Sequence, residues 1–236
     1  MKKTKNNKTI IYSMKEYEQL TGVRFTLDHT GKMEGNESLS TSCKCNKQCE
    51  KNAKVDGSIC QKCYADKMLS NKFYGPLEKK LSKNYQLLNE RILDKVPFIN
   101  AAFFRFEAFG DIASETQFIN YLNIATYNKH CSFAIWTKNP HILDSVFNEL
   151  GYKKPKNLIV IVSSLFINKT WNFNNMPYAD RYWFIDKIFT VYDDTYIKEN
   201  NIEINCNDKD NKPRRCMDCL KCYTKNNIKY INEKLK

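Results

Sequence analysis

The chain has 236 residues, 42% of them hydrophobic, and 38 Lys and Arg outnumber 26 Asp and Glu to leave a formal charge of +12. That length and apolar share suit one sizeable core and exclude a disordered chain, and no stretch approaches the ~20 apolar residues of a membrane span. The basic start MKKTKNNKTI runs into Tyr12, Lys15, Glu16 and Glu18 instead of an apolar signal core, so a cytoplasmic location is expected.

Residues 1–40 are polar, with short apolar runs at Thr9 to Tyr12 and Val23 to Leu27 that predict a strand or two. From Gly75 to Leu93, Leu77, Leu81, Tyr85, Leu88 and Ile92 recur at steps of three and four, the stripe of an amphipathic helix opened by Pro76. The period then changes. Ala101 to Asp111, AAFFRFEAFGD, alternates and ends in Gly–Asp. Ser114 to Tyr127 predicts a helix capped by Ser114, with Phe118, Tyr121, Leu122 and Ala125 facing inward. The run CSFAIW (131–136) precedes Thr137 and Lys138, and His141 to Leu150 predicts a helix closed by Gly151. Asn157 to Phe166 is the most β-branched run, and Lys187 to Tyr192 ends in Asp193 and Asp194.

Strands alternating with helices are the pattern of a parallel sheet with crossover connections. Strands of such a sheet are buried on both faces and read as continuous apolar runs, as Leu158 to Val162 does. Sites in these folds lie at the carboxyl ends of the strands. Here those ends carry Gly110 and Asp111, Thr137 and Lys138, Ser163 and Ser164, and Asp193 and Asp194. A pocket explains that polarity, and so do ordinary turns.

Nine of the 10 cysteines fall into two groups. Cys43, Cys45, Cys49, Cys60 and Cys63 form the first, and Cys206, Cys216, Cys219 and Cys222 the second; Cys131, in an apolar run, reads as a buried thiol. In a reducing compartment such clusters are metal ligands or reactive thiols rather than disulfides. Four thiolates in separated pairs suit tetrahedral zinc. The triple Cys216-x2-Cys219-x2-Cys222 with a distant Cys206 follows the way ferredoxin-type loops hold a [4Fe–4S] cluster, although no Pro follows the last cysteine. One or two clusters are expected, with zinc as the alternative.

The charge leaves a second function class open. Lys2, Lys3, Lys5 and Lys8, and in the tail Lys212, Arg214, Arg215, Lys221, Lys225 and Lys229, are locally dense, as a contact to nucleic acid phosphates requires. Trp171, Phe173, Tyr178, Tyr182 and Trp183 would then stack on single-stranded bases, or else simply pack. That alternative is a zinc-stapled, basic nucleic-acid-binding protein without catalysis. A hydrolase is disfavoured, because His29, His130 and His141 form no nucleophile or zinc-protease arrangement.

Cys63-Tyr64-Ala65 closing the first cysteine group, Arg105 to Asp111, Ala134 to Lys138 and the cluster from Cys206 to Cys222 together resemble the phage and plasmid family of the gene product eighty-eight type. The resemblance runs from about Ser42 to Cys222 and implies a cytoplasmic protein, of the host cell where the gene is phage-borne. At the level of plan, that family is similar to radical S-adenosylmethionine (SAM) enzymes. This likeness implies a partial, open parallel β/α barrel at residues 41–195, with a polar segment at 1–40 and a cluster-binding extension at 196–236. It also implies cluster ligands at Cys49, Cys60 and Cys63, SAM contact at Gly110 and Asp111, and Arg105, Glu107, Thr137 and Lys138 lining the pocket. The insertion between Cys45-x3-Cys49 and Cys60-x2-Cys63 departs from the contiguous three-cysteine loop of those enzymes. The substrate stays unassigned.

Overall fold

A computed structural model describes residues 10–172, 179–206 and 215–235. Lys2, Lys3, Lys5, Lys8, Phe173, Tyr178, Lys212 and Arg214 lie outside the described residues. In chain order, β1 (Ile11–Ser13) leads into α1 (Met14–Thr21), a 3-10 turn (Gly31–Met33) and β2 (Glu37–Leu39). The first cysteine group follows on α2 (Lys47–Ala53), a second 3-10 turn (Ile59–Lys62) and α3 (Tyr64–Leu69). Then come α4 (Gly75–Glu90), β3 (Val96–Phe98), β4 (Phe103–Phe106), α5 (Glu115–Tyr127), β5 (Ser132–Thr137) and α6 (Pro140–Asp144), which runs on as a π turn (Ser145–Glu149). The chain continues through β6 (Leu158–Ser163), β7 (Lys187–Tyr192), α7 (Asp194–Asn200), α8 (Cys216–Cys219) and β8 (Tyr230–Lys234).

The main sheet has six strands in the order β2-β4-β5-β6-β7-β8, every neighbouring pair parallel. The order never reverses, so each strand is laid beside the one before it. The α/β class and the parallel sheet expected from the alternating pattern are therefore present. β1 and β3 form a separate parallel pair. β2 comes from the segment expected to precede the barrel and β8 from the one expected to follow it, yet both are paired into the sheet.

The two faces of the sheet are covered differently, and this difference makes the site. Side chains alternate across a strand. Phe104, Phe106, Phe133, Ile135, Leu158, Val160 and Val162 turn to one face and join Phe118, Tyr121 and Leu122 of α5 and Leu143 of α6 in the main core. Their alternates, Phe103, Ala134, Trp136, Ile159, Ile161 and Phe189, turn to the other face, where they meet Cys216, Leu220, Cys222 and Tyr223. The C-terminal cysteine segment thus covers the sheet opposite the α5 and α6 layer. All six residues of β6 are buried, as its continuous apolar run requires.

Local chemistry explains most boundaries. Ser114 caps α5 by accepting from the Gln117 N–H, and Pro76 stands in the first turn of α4. Gly151, at φ +72°, follows the π turn that ends the α6 segment. Two expectations are corrected. Val23 to Leu27 makes no strand: Val23 and Phe25 are buried, but the only pairing there is a single antiparallel bridge from Thr26 to Ser38. Ile92 does not continue the α4 stripe, because Arg91 turns extended after Glu90 and leaves Ile92 exposed.

Candidate functional site

A cavity of about 1760 Å³ opens at the carboxyl ends of the strands. Its walls include Cys43 beyond β2, Glu107 to Asp111 beyond β4, Thr137 and Lys138 at the end of β5, and Ser163 and Ser164 at the end of β6. Cys43, Cys49, Cys60 and Cys63 line it on one side, and Cys206, Cys216 and Cys222 on another. Two cysteine groups far apart in sequence therefore face one space. The polar strand ends expected to mark a pocket border it at β4, β5 and β6. At β7 the turn reading holds, because Asp193 caps α7 by accepting from the Tyr196 N–H.

The first cysteine loop is tied over the strand ends at several points. Asn46 caps α2 and its amide donates to the Asp111 carbonyl at 2.9 Å. The Ile59 N–H donates to the Leu165 carbonyl at 2.9 Å, and the Tyr64 hydroxyl donates to the carbonyl of Ala108. Cys63 stands at the N-cap position of α3, and its thiol pKa is lowered by a hydrogen bond with Cys43 and by the nearby N–H groups of Asp66 and Ala65. The same contact with Cys63, together with burial, pushes the Cys43 thiol up. Burial and the nearby Asp111 push up Cys49, and burial raises Cys60. Cys45 is the exception in this group: it does not line the cavity, and its Sγ stands 3.2 Å from the Ser82 hydroxyl.

The second group surrounds a smaller space of about 50 Å³ beside the main cavity, lined by all four of Cys206, Cys216, Cys219 and Cys222 with Lys32. Lys32 donates to the Cys206 Sγ at 3.1 Å and pairs with Glu233 at 2.7 Å. Burial and the neighbouring Cys206 and Cys216 raise the Cys222 thiol to about 12. Four cysteines bordering one small space, with no histidine or carboxylate in its lining, are a soft donor set, which suits an iron–sulfur cluster or zinc. Among the described residues, no three His, Cys, Asp or Glu side chains stand grouped to hold a single ion.

The Gly–Asp loop is a brace between strands. The Asp111 carboxylate accepts from the Thr137 hydroxyl at 2.6 Å, the Lys138 N–H at 2.9 Å and the Ile112 N–H at 2.8 Å. Burial raises its pKa against these bonds. Glu107 sits at φ 56°, in the left-handed region, and is fully enclosed. Its carboxylate accepts from the Thr41 N–H at 3.1 Å, the Thr41 hydroxyl, Gln117 Nε2 at 2.6 Å and the Tyr121 hydroxyl. Burial nevertheless lifts its pKa to about 7. Gly110 is required here by close approach, since a Cβ would stand 2.6 Å from Glu107 Oε2 and 2.7 Å from the Thr41 carbonyl.

Arg105 lies on the strand face that looks into the cavity, its guanidinium 4.0 Å from the Trp136 ring centroid. Its other contacts are weak: Nη1 to the Met33 sulfur at 3.3 Å and Nη2 to the Glu107 carbonyl at 3.5 Å. Sequence reasoning missed Lys32, Thr41, Gln117 and Asn36, which donates to Tyr223. Only Gln117 carried a signal, as a polar residue among the buried positions of α5. Cys131 is a buried thiol, as expected, raised to about 12 by burial. Of the aromatics, Trp171 donates from Nε1 to the Ser163 carbonyl at 3.1 Å, and Tyr182 packs on the core. Trp183 is exposed but bonded to Asn148. Among the described residues no helix is long and apolar enough to cross a membrane.

A family model described as Gene product 88 matches residues 1–227. No curated protein and no solved structure matches the chain.

Proposed function

The chain belongs to the Gene product 88 family, and from that premise we propose that it is an iron–sulfur protein whose clusters face a substrate cavity at the carboxyl ends of a parallel sheet. The observation that carries the reading is the convergence of seven cysteines from two distant segments on one cavity. Cys206, Cys216, Cys219 and Cys222 would hold one [4Fe–4S] cluster with all four positions filled. Cys49, Cys60 and Cys63 would hold a second, with Cys43 close enough to compete for its fourth position. When bound, such clusters supply one-electron chemistry.

A partial, open barrel accounts for the topology. Strands added in one direction place their crossover helices on one face, and the opposite face becomes the interior that the second cysteine group fills. In that plan the first cluster would serve a radical-SAM-like reaction. Asp111 and Glu107 are already engaged by protein donors, so in this reading they shape the wall, and Arg105 and Lys138 are left to contact a ligand.

The test is iron and acid-labile sulfide analysis with an absorbance spectrum on protein purified without oxygen. Broad absorption near ~400 nm with matching sulfide is the expected outcome. Cys63→Ala and Cys219→Ala should each remove about half of the iron. Zinc without sulfide would sink the proposal in favour of the stapled nucleic-acid-binding alternative. Incubation with SAM and dithionite then asks for 5′-deoxyadenosine; none, on protein with full clusters, would leave an electron-transfer role.

A further inference from the structure

Arg105 and Lys138 line the cavity without an ion pair among the described residues. Arg105 forms no ion pair among the described residues, and its Nε is shielded from solvent without any hydrogen-bond acceptor. A guanidinium has five N–H donors, and Arg105 spends two of them on a thioether and a long carbonyl contact. Trp136 supports one face of the guanidinium plane, a placement that leaves the edge donors to be met within that plane. Lys138, one strand over, uses only its backbone N–H, on Asp111, and its ammonium has no hydrogen bond or ion pair among the described residues. Arg105, Lys138 and Lys32 all line the cavity. Of these, only Lys32 forms an ion pair among the described residues, with Glu233.

Leaving a buried charge unpaired is costly, and a planar fork presented edge-on is the form that recognises carboxylate or phosphate. We propose that the cavity binds an anionic ligand, through a carboxylate or phosphate group held by Arg105 with Lys138 as the second cation. This gives the ligand class of the cavity described above, and rests on the proposed function only for what the ligand is used in.

The experiment is isothermal titration calorimetry of anaerobically purified protein, of measured iron content, with inorganic phosphate, pyrophosphate and succinate, alongside Trp fluorescence. Saturable binding of at least one anion is expected, with succinate against the phosphates separating the two sources. Arg105→Gln should weaken it at least tenfold and Lys138→Gln several-fold, while Arg105→Lys, which keeps the charge but loses the fork, should fall between. Arg91→Gln, at an exposed position, should change nothing. Equal binding by wild type and Arg105→Gln, or no saturable binding, overturns the inference. So does binding that appears only after iron is stripped, because the cluster would then be the counter-charge. Anion binding by protein without iron or sulfide leaves the inference standing and sinks the proposed function alone. If Arg105→Gln does not fold, Arg105→Lys and Lys138→Gln decide.

Discussion

Lys32 and Cys206 are 174 positions apart in the chain and meet at 3.1 Å, Nζ to Sγ. Burial would push the ammonium down, but Glu233 and Cys206 outweigh it and hold Lys32 above its ordinary value, so it remains charged. A hydrogen bond to a ligating sulfur raises a cluster's reduction potential. Lys32→Met should therefore shift the more positive of any iron signals downward in a potentiometric titration without removing iron. In metal-free protein the same change should slow alkylation of Cys206, whose thiol Lys32 lowers against the effect of burial. An unchanged potential and unchanged alkylation would leave Lys32 a purely structural tie.

Gly110 has no room for a methyl group. Its absent Cβ would overlap Glu107 Oε2 and two atoms of Thr41, one of them backbone. Gly110→Ala should cost about 1–3 kcal/mol, the usual penalty of overpacking, read from the denaturant midpoint. Gly75→Ala, where nothing stands within 4 Å, is the control and should be neutral or slightly stabilising.

Glu107 should make stability fall as pH rises. Its folded pKa of about 7 lies above the ordinary 4.5, so the folded state binds the proton more tightly than the unfolded chain. The contribution is therefore fully present below about 4.5 and is lost as pH rises toward 7. The full difference is about 3 kcal/mol. Glu107→Gln imitates the protonated form, so the stability difference between wild type and this variant should follow that decline. Parallel pH profiles for the two proteins would contradict the assignment.

Cys63 should be the first thiol of metal-free protein to react. Its pKa is held below the ordinary thiol value, whereas Cys131 is raised to about 12 and buried. Brief iodoacetamide treatment at pH 7 followed by peptide mapping should show Cys63 labelled at least about tenfold faster than Cys131. Cys43→Ala tests the cause: removing the hydrogen bond that lowers Cys63 should slow its labelling.

The central strands were legible because parallel strands advertise themselves. Leu158 to Val162 is apolar at every position because both sides are covered, and its short length and β-branched residues decide for a strand over a buried helix segment. The strands at the sheet's margins were not legible. Glu37–Leu39 and Tyr230–Lys234 are short and mix polar with apolar residues, and pairing alone makes them strands. The cysteines were visible as two groups, but their convergence was not, because no local pattern brings Cys206 to Lys32. Gly–Asp read as a ligand contact from its place after a strand; the hydrogen bonds to Thr137 and Lys138 give it a mechanical task that spacing could not reveal.

The unreversed strand order bears on how the protein is made. Domains begin to organise from the N-terminal side during synthesis, and here each emerging strand finds its neighbour already in place. The first cysteine loop and the strands from β2 to β7 exist before Cys216, Cys219 and Cys222 leave the ribosome. Until then the sheet face carrying Trp136 and Ile161 is uncovered. Arrival of the second cysteine group closes that face, so the last residues to emerge are the ones that take Trp136 and Ile161 out of water.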